Sequence, residues 1–205
     1  MSEAEFFQAI GTGDQQRVAA LLSGGIDPNS RDENGDSALS YALGVGEGAI
    51  ATLLLDQGAD INGGEGGSTP LQLALEAAEY ELVERLIALG ADPNRCAGDD
   101  EGTALHVVAR GYRDTDFFEL LLQAGADVNA PDDAGNTPLL ALVAGIDFAE
   151  AEEVEQIGEI VQLLLANGAD PALANQEGAT PAAAVSSAIA SQPLPALLKI
   201  RELLS

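Results

Sequence analysis

Tryptophan is absent from this 205-residue chain, and histidine (His106), cysteine (Cys96) and lysine (Lys199) each occur once. Each scarcity removes a class of function. One Cys and one His cannot supply a zinc tetrad or a C-x-x-C redox pair, and no intrachain disulfide is possible. Eight basic residues stand against 34 acidic ones, a formal net charge of −26. A phosphate backbone is held by Lys and Arg that displace its counterions, so direct nucleic-acid binding is not expected, and an anionic membrane surface is excluded on the same grounds. No stretch approaches the roughly 20 apolar residues of a membrane span. "MSEAEFFQAIG" has neither a basic start nor an apolar run of signal-peptide length, so a soluble, cytoplasmic chain is expected.

Reactive constellations are missing too. A single histidine makes a poor general-base candidate without partners, and a thiol beside Asp99 and Glu101 is a poor nucleophile. The glycines of "GGEGG" (63–67) have no following lysine, so they read as a turn and not a phosphate-binding loop. Asp99, Asp100 and Glu101, or Asp132 and Asp133, lack the spaced ligands of a twelve-residue calcium loop. The expectation is no enzyme, no cofactor and no metal.

What remains is abundant and periodic. Hydrophobic residues make up 46% but aromatics only 4%, which suits a core of small and aliphatic side chains between closely stacked helices. One phrase recurs as "GIDPN" (25–29), "GADIN" (58–62), "GADPN" (90–94), "GADVN" (125–129) and "GADPA" (168–172). Its aspartates, Asp27, Asp60, Asp92, Asp127 and Asp170, are spaced by 33, 32, 35 and 43 residues. A second phrase follows each: "SALSYA" from Ser37, "TPLQLA" from Thr69, "TALHVV" from Thr103, "TPLLAL" from Thr137 and "TPAAAV" from Thr180. Ser or Thr there is a helix N-cap, and the following Pro suits a first helical residue. A second helix, carrying clusters such as Leu53-Leu54-Leu55, ends at the glycine of the first phrase. The polar stretches between, "RDENGD" and "PDDAGN", are turn formers. One such helix pair cannot bury its apolar faces alone, whereas a stack of them can.

These phrases and their period closely resemble the ankyrin repeat, over essentially the whole chain. The resemblance implies an all-α solenoid of helix-turn-helix units with β-hairpin fingers, forming a single domain over 1–205. By it, residues 2–30 are a cap, 31–63, 64–95, 96–130 and 131–173 are internal repeats, and 174–205 are a C-terminal cap. The family's histidine appears only as His106, where it is expected to bond backbone between repeats; Ser40, Gln72 and Leu140 replace it elsewhere. The finger before Thr69 is one residue shorter than its neighbours and that before Thr103 one longer, so the two should differ in reach or shape.

In this family partners usually contact finger tips and inner helices on a concave face. Carried over, that implies a protein-interaction module whose finger positions include Asp32, Glu33, Glu65, Asp99, Asp100, Glu101, Asp132 and Asp133. On or just beyond the inner helices come Tyr41, Glu76, Tyr80, Arg110, Tyr112 and Arg113. Aspartate is a good turn starter, which accounts for one acid per finger but not for the second beside it. The expected partner is a basic protein, drawn by long-range attraction, and the chain is expected to act as a monomer. Two alternatives stay open: an inhibitor or immunity-type protein that blocks a cationic enzyme by acidic mimicry, and an acidic scaffold tuned to a saline cytoplasm.

The repeat swells by ten residues within 131–173, around "AGIDFAEAEEVEQIGE" (144–159). Gly145 can stop the inner helix, and Asp147 and Glu150 have capping-box spacing. Phe148, Ala151, Val154, Ile157 and Val161 form an apolar stripe. An outer helix lengthened at its N-terminus is expected, by about 15 Å if all ten residues are helical. Gly158 should interrupt it, and Phe148 and Val154 should overhang uncovered.

Overall fold

The computed structural model describes residues 2–63, 68–96, 102–111, 114–144, 146, 149, 151–191 and 194–205. They form two compact units, Met1–Asp99 and Asp100–Ser205. The first holds α1 (Glu3–Gly11), α2 (Gln15–Ser23), α3 (Ala38–Gly44), α4 (Gly48–Asp56), α5 (Pro70–Glu76) and α6 (Tyr80–Ala88). The second holds α7 (Ala104–Arg110), α8 (Thr115–Gln123), α9 (Pro138–Ala144), α10 (Ala151–Ala166), α11 (Pro181–Ser191) and α12 (Pro195–Leu203). Successive helices pair, an odd-numbered inner helix with the even-numbered outer helix after it. In the first unit α3 packs against both α1 and α5, and α4 against α2. In the second, α9 packs against α7 and α11, and α10 against α8 and α12.

The inner helices begin where the cap residues dictate. Ser37 Oγ accepts from Ser40 N (3.1 Å), Thr137 Oγ1 from Leu140 N (3.3 Å) and Thr180 Oγ1 from Ala183 N (3.3 Å). Thr69 makes a reciprocal box, in which Gln72 N donates to Thr69 Oγ1 (3.2 Å) and Thr69 N donates to Gln72 Oε1 (2.8 Å). Each such cap is worth about 1 kcal/mol. Outer helices end where glycine adopts a left-handed φ, as at Gly58 (+82°) and Gly168 (+92°), conformations that a Cβ would strain. Between pairs the core is aliphatic, with Ile10, Leu21, Leu39, Leu54, Leu105 and Leu164 almost or wholly inaccessible. Phe117 and Phe118 lie within the core, at 2% and 0% exposure, as their outer-helix positions imply.

The Asp and Asn of the recurring phrase join neighbouring repeats. Within each repeat the Asp carboxylate closes a turn, accepting for instance from Asn29 N at Asp27 and from Asn62 N at Asp60, both 2.9 Å. The Asn amide oxygen then receives the backbone N–H of the next repeat's Asp: Asn29 from Asp60 (2.7 Å), Asn62 from Asp92 (3.2 Å) and Asn129 from Asp170 (2.8 Å). In the last phrase Ala172 takes the Asn position.

The ten-residue swelling is resolved here. α10 has 16 residues, whereas α2, α4, α6, α8 and α12 have nine each, so seven of the ten extend the outer helix. That is about 10 Å of added helix. Asp147, Phe148 and Glu150 lie outside the described residues. Two expectations are corrected. Gly158 does not interrupt α10, which is continuous through it. Val154 does not overhang; it is fully buried together with Ile157 and Val161. α12 packs along α10, which α8 and α9 also contact, and Gly158 is part of the reason for the close approach of α12. A Cβ there would stand 3.6 Å from Ile200 Cγ1, so the glycine lies in the interhelical contact.

Among the described residues only one antiparallel β-bridge forms in the fingers, Arg31 with Ser37. The described fingers are therefore hydrogen-bonded turns more than strand ladders. The fingers of unequal length, before Thr69 and Thr103, fall largely outside the described residues.

Candidate protein-interaction surface

Three fingers share one construction. Asp32 Oδ1 accepts from Asn34 N and Asp36 N, both 2.9 Å, and its Oδ2 accepts from Asn34 Nδ2 at 3.2 Å. Asp132 Oδ1 accepts from Ala134 N (2.9 Å) and Asn136 N (2.8 Å), and Oδ2 from Asn136 Nδ2 (2.9 Å). Asn175 Oδ1 does the same for Glu177 N (3.0 Å) and Ala179 N (2.9 Å). The first Asp or Asn of the finger thus builds the turn. The second, Glu33, Asp133 or Gln176, points outward and is exposed or carries side-chain contacts to the adjoining finger.

This division reassigns one expected contact residue. Asp132 has a side chain only 2% exposed, paired with the Arg110 guanidinium. Burial raises its pKa, but the Asn136 side-chain and backbone hydrogen bonds and the Arg110 charge prevail and hold it below the usual carboxylate range. Its carboxylate is occupied inside the finger and is not presented to a partner. Arg110, the last residue of α7, is correspondingly engaged.

His106 lies beside this pair and is wholly buried. Its Nδ1 accepts from Thr103 N (3.1 Å), which leaves Nε2 to carry the proton and donate to Asn136 O in the following finger (2.9 Å). Desolvation lowers its pKa below the ordinary histidine value, so the ring is neutral near pH 7. Ser40 makes the corresponding link by donating to Gly63 O (3.2 Å). The two fingers 131–136 and 174–179 are bound directly to each other. Gln176 N donates to Ala134 O (3.0 Å), Gln176 Nε2 to Asp133 O (2.7 Å) and Asn175 Nδ2 to Asn136 Oδ1 (2.9 Å).

In the first unit Asp32, Glu33 and Tyr41 come together in an open groove of about 620 Å³, along with Glu3, Ala4, Phe7, Arg31 and Asn34. Tyr41 stands edge-on to Phe7, ring centroids 5.6 Å apart and planes at 73°. Its hydroxyl lies so near Gly11 that a Cβ there would approach it to 2.7 Å, so the small residue sets the ring's place. Tyr41 also lines a smaller groove of about 280 Å³, bordered by Asp36, Ser40, Gly44, Val45, Ser68 and Leu73. Glu3 and Phe7 were not distinguished by sequence reasoning. They are one helical turn apart on α1, and an N-terminal Phe reads as core.

Other expected contact residues are dispersed. Glu76 ends α5 and Tyr80, 40% exposed, begins α6, which places both at the end of that helix pair away from its finger. Glu65, Asp99, Asp100, Glu101, Tyr112 and Arg113 lie outside the described residues. Asp133 is exposed at its finger tip. Among the described residues no group of three or more His, Cys, Asp or Glu could hold a metal ion, and no helix is long and apolar enough to cross a membrane.

A family model described as ankyrin repeats (3 copies) matches residues 6–97 and 76–151. The Escherichia coli ankyrin repeat protein YahD is 31% identical over 180 residues, 87% of this chain and 86% of that protein. Human Ankyrin repeat and SOCS box protein 6 is 34% identical over 149 residues, 66% of this chain; the chain spans about a third of that relative's length (35%). Among solved structures, an ankyrin repeat domain from Acinetobacter baumannii AYE superposes with a TM-score of 0.83 at 27% identity, covering 99% of this chain and 97% of that one. A chain from the complex of the Bdellovibrio bacteriovorus predatory endopeptidase Bd0816 with immunity protein Bd3460 gives a TM-score of 0.77 at 25% identity, covering 98% and 99%. Capped helix pairs, the Asp–Asn ladder, turn-built fingers and these likenesses agree: the chain belongs to the ankyrin-repeat family, whose repeats are generally protein-interaction modules.

Proposed function

We propose that the chain is a non-catalytic, monomeric cytoplasmic module that binds a basic protein through finger tips and inner helices. The observation that carries this is the second acidic residue of the finger. Turn formation accounts for Asp32 and Asp132, but among the described residues the exposed carboxylates of Glu33 and Asp133 make no internal hydrogen bond. Three arginines, Arg17, Arg85 and Arg110, are paired with carboxylates, which leaves the acidic excess on the surface largely uncompensated. Such a field steers a cationic partner and makes association sensitive to salt. Affinity capture from the native host, eluted by a salt gradient and identified by mass spectrometry, tests this. A basic partner leaving as salt rises is expected. A partner retained equally at low and high salt would overturn the electrostatic reading.

The likeness to a chain of the endopeptidase–immunity protein complex favours one specialised version, an inhibitor that covers a cationic enzyme surface. Co-purification with a cytotoxic enzyme whose activity falls in proportion to added chain is its expected outcome. Full enzyme activity in the complex would exclude it. An acidic scaffold without a charged partner instead predicts a large rise in stability with salt and no captured protein.

A further inference from the structure

The acidic-face reading names no particular contact, but the first unit carries the pieces of one. The groove of about 620 Å³ has an aromatic floor, Phe7 and Tyr41, and a rim bearing three carboxylates, Glu3, Asp32 and Glu33. Among the described residues the one cation at the rim, Arg31, directs its guanidinium onto Gly35 O at 2.8 Å. The floor is held in place: Tyr41 is set by its edge contact with Phe7 and by the close approach to Gly11. Glu3 and Glu33 are both exposed. An aromatic face beneath a carboxylate rim complements a guanidinium or ammonium group carried on an aliphatic stem. Sharing Tyr41 as a wall, the groove of about 280 Å³ places the apolar Val45 and Leu73 beside the polar Asp36, Ser40 and Ser68. Val45 is 45% exposed there, a large apolar residue left uncovered.

We infer that this unit holds a two-part docking surface for a basic segment of a partner protein: an Arg or Lys side chain enters the Phe7–Tyr41 groove, and an adjacent aliphatic side chain occupies the Val45–Leu73 groove. The inference rests on the acidic-face reading and adds to it a defined place, with Tyr41 as the shared wall. Glu33 and Glu3 supply charge, Asp32 holds the finger in shape through its turn hydrogen bonds, and Tyr41 supplies the ring face.

The probe is an acetylated, amidated octapeptide of alternating arginine and valine, compared with versions in which citrulline replaces arginine or alanine replaces valine. Backbone NMR shifts of the full chain locate the binding, and fluorescence anisotropy gives the affinity. The largest shifts are expected at Ala4, Phe7, Glu33, Tyr41 and Val45. Tyr41→Ala should weaken binding about tenfold and Tyr41→Phe by no more than about twofold, since the ring face and not the hydroxyl meets the cation. Glu3→Gln with Glu33→Gln should weaken it about fivefold, with both side chains exposed. Alanine for valine should weaken it about threefold, and citrulline for arginine should abolish most of it. Shifts centred on Asp133 and Glu177 would overturn this inference while leaving the acidic-face reading standing. Equal affinity for citrulline and arginine peptides, or no binding, would overturn the inference as well. Together with salt-insensitive capture, either of these results would remove both.

Discussion

Asp32 and Asp132 occupy the same repeat position and make the same turn, yet only Asp32 retains a partly accessible side chain. Both receive two backbone N–H groups and one Asn amide. The difference lies in what stands next to them. Asp132 has Arg110 from the preceding inner helix and an adjoining finger zipped to its own; Asp32 faces an open groove. Repeat position assigns the backbone task, and neighbours decide whether any chemistry is left for a partner.

The largest effect that can test this comparison is removal of each carboxylate. Asp132→Ala should cost about 2 kcal/mol in urea unfolding, because it leaves three part-buried donors and the Arg110 guanidinium without their acceptor, while Asp32→Ala should cost only about 1 kcal/mol. Equal losses would show that the neighbours contribute nothing.

A pH series sharpens the same contrast. Asp132 is depressed in the fold, so its contribution is present above the ordinary carboxylate pKa of about 4 and disappears as pH falls through its lowered folded value. His106 is also depressed, but as a base: below about pH 6.5 the unfolded chain takes up a proton that the folded chain refuses. Stability should therefore begin to fall between pH 7 and 5, before any carboxylate contributes. His106→Gln, which copies the reciprocal cap already made by Gln72, should remove that early decline and cost about 1 kcal/mol at pH 7 from the lost bond to Asn136. An unchanged pH profile would mean that His106 is not the group responsible.

Smaller effects probe the ladder and the long helix. Asn29→Ala should cost about 1 kcal/mol by removing the acceptor for Asp60 N, whereas in this 205-residue chain Ala172→Asn should change stability by less than about 0.5 kcal/mol, because residues 173–205 contain no Asp. Calorimetry separates the two; a large gain at position 172 would contradict the ladder reading. Gly158→Ala should add about 0.5 kcal/mol, since it lies inside continuous helix and its Cβ would meet Ile200 at ordinary contact distance.

Much of this was legible in the residues because it is local. Ser37, Thr69, Thr137 and Thr180 cap the helices they precede, and Gly58 and Gly168 terminate the helices before them, because caps depend on side chains within four positions. The role of His106 as an inter-repeat bond was readable from its phrase. The acidic stretch after Gly145 was legible only in type. A stripe of apolar residues announces a helix, but its cover depends in part on α12, some 40 positions along the chain. Val154 is therefore buried against expectation, and Gly158 is a contact surface in place of a break. The finger acids show the same limit. Turn chemistry identifies Asp132 as a turn starter, yet Arg110 lies 22 positions away and nothing in the spacing joins them.

The sequence by itself determined the repeat, most of its helix ends, the turns of the described fingers and the acidic excess, since these follow from periodicity, capping and composition. Tertiary structure alone decided which carboxylates remain available, which apolar stripe is covered and that Phe7, Tyr41 and Glu33 line one groove. Those outcomes depend on distances between residues far apart in the chain, which stacking sets and no local pattern encodes.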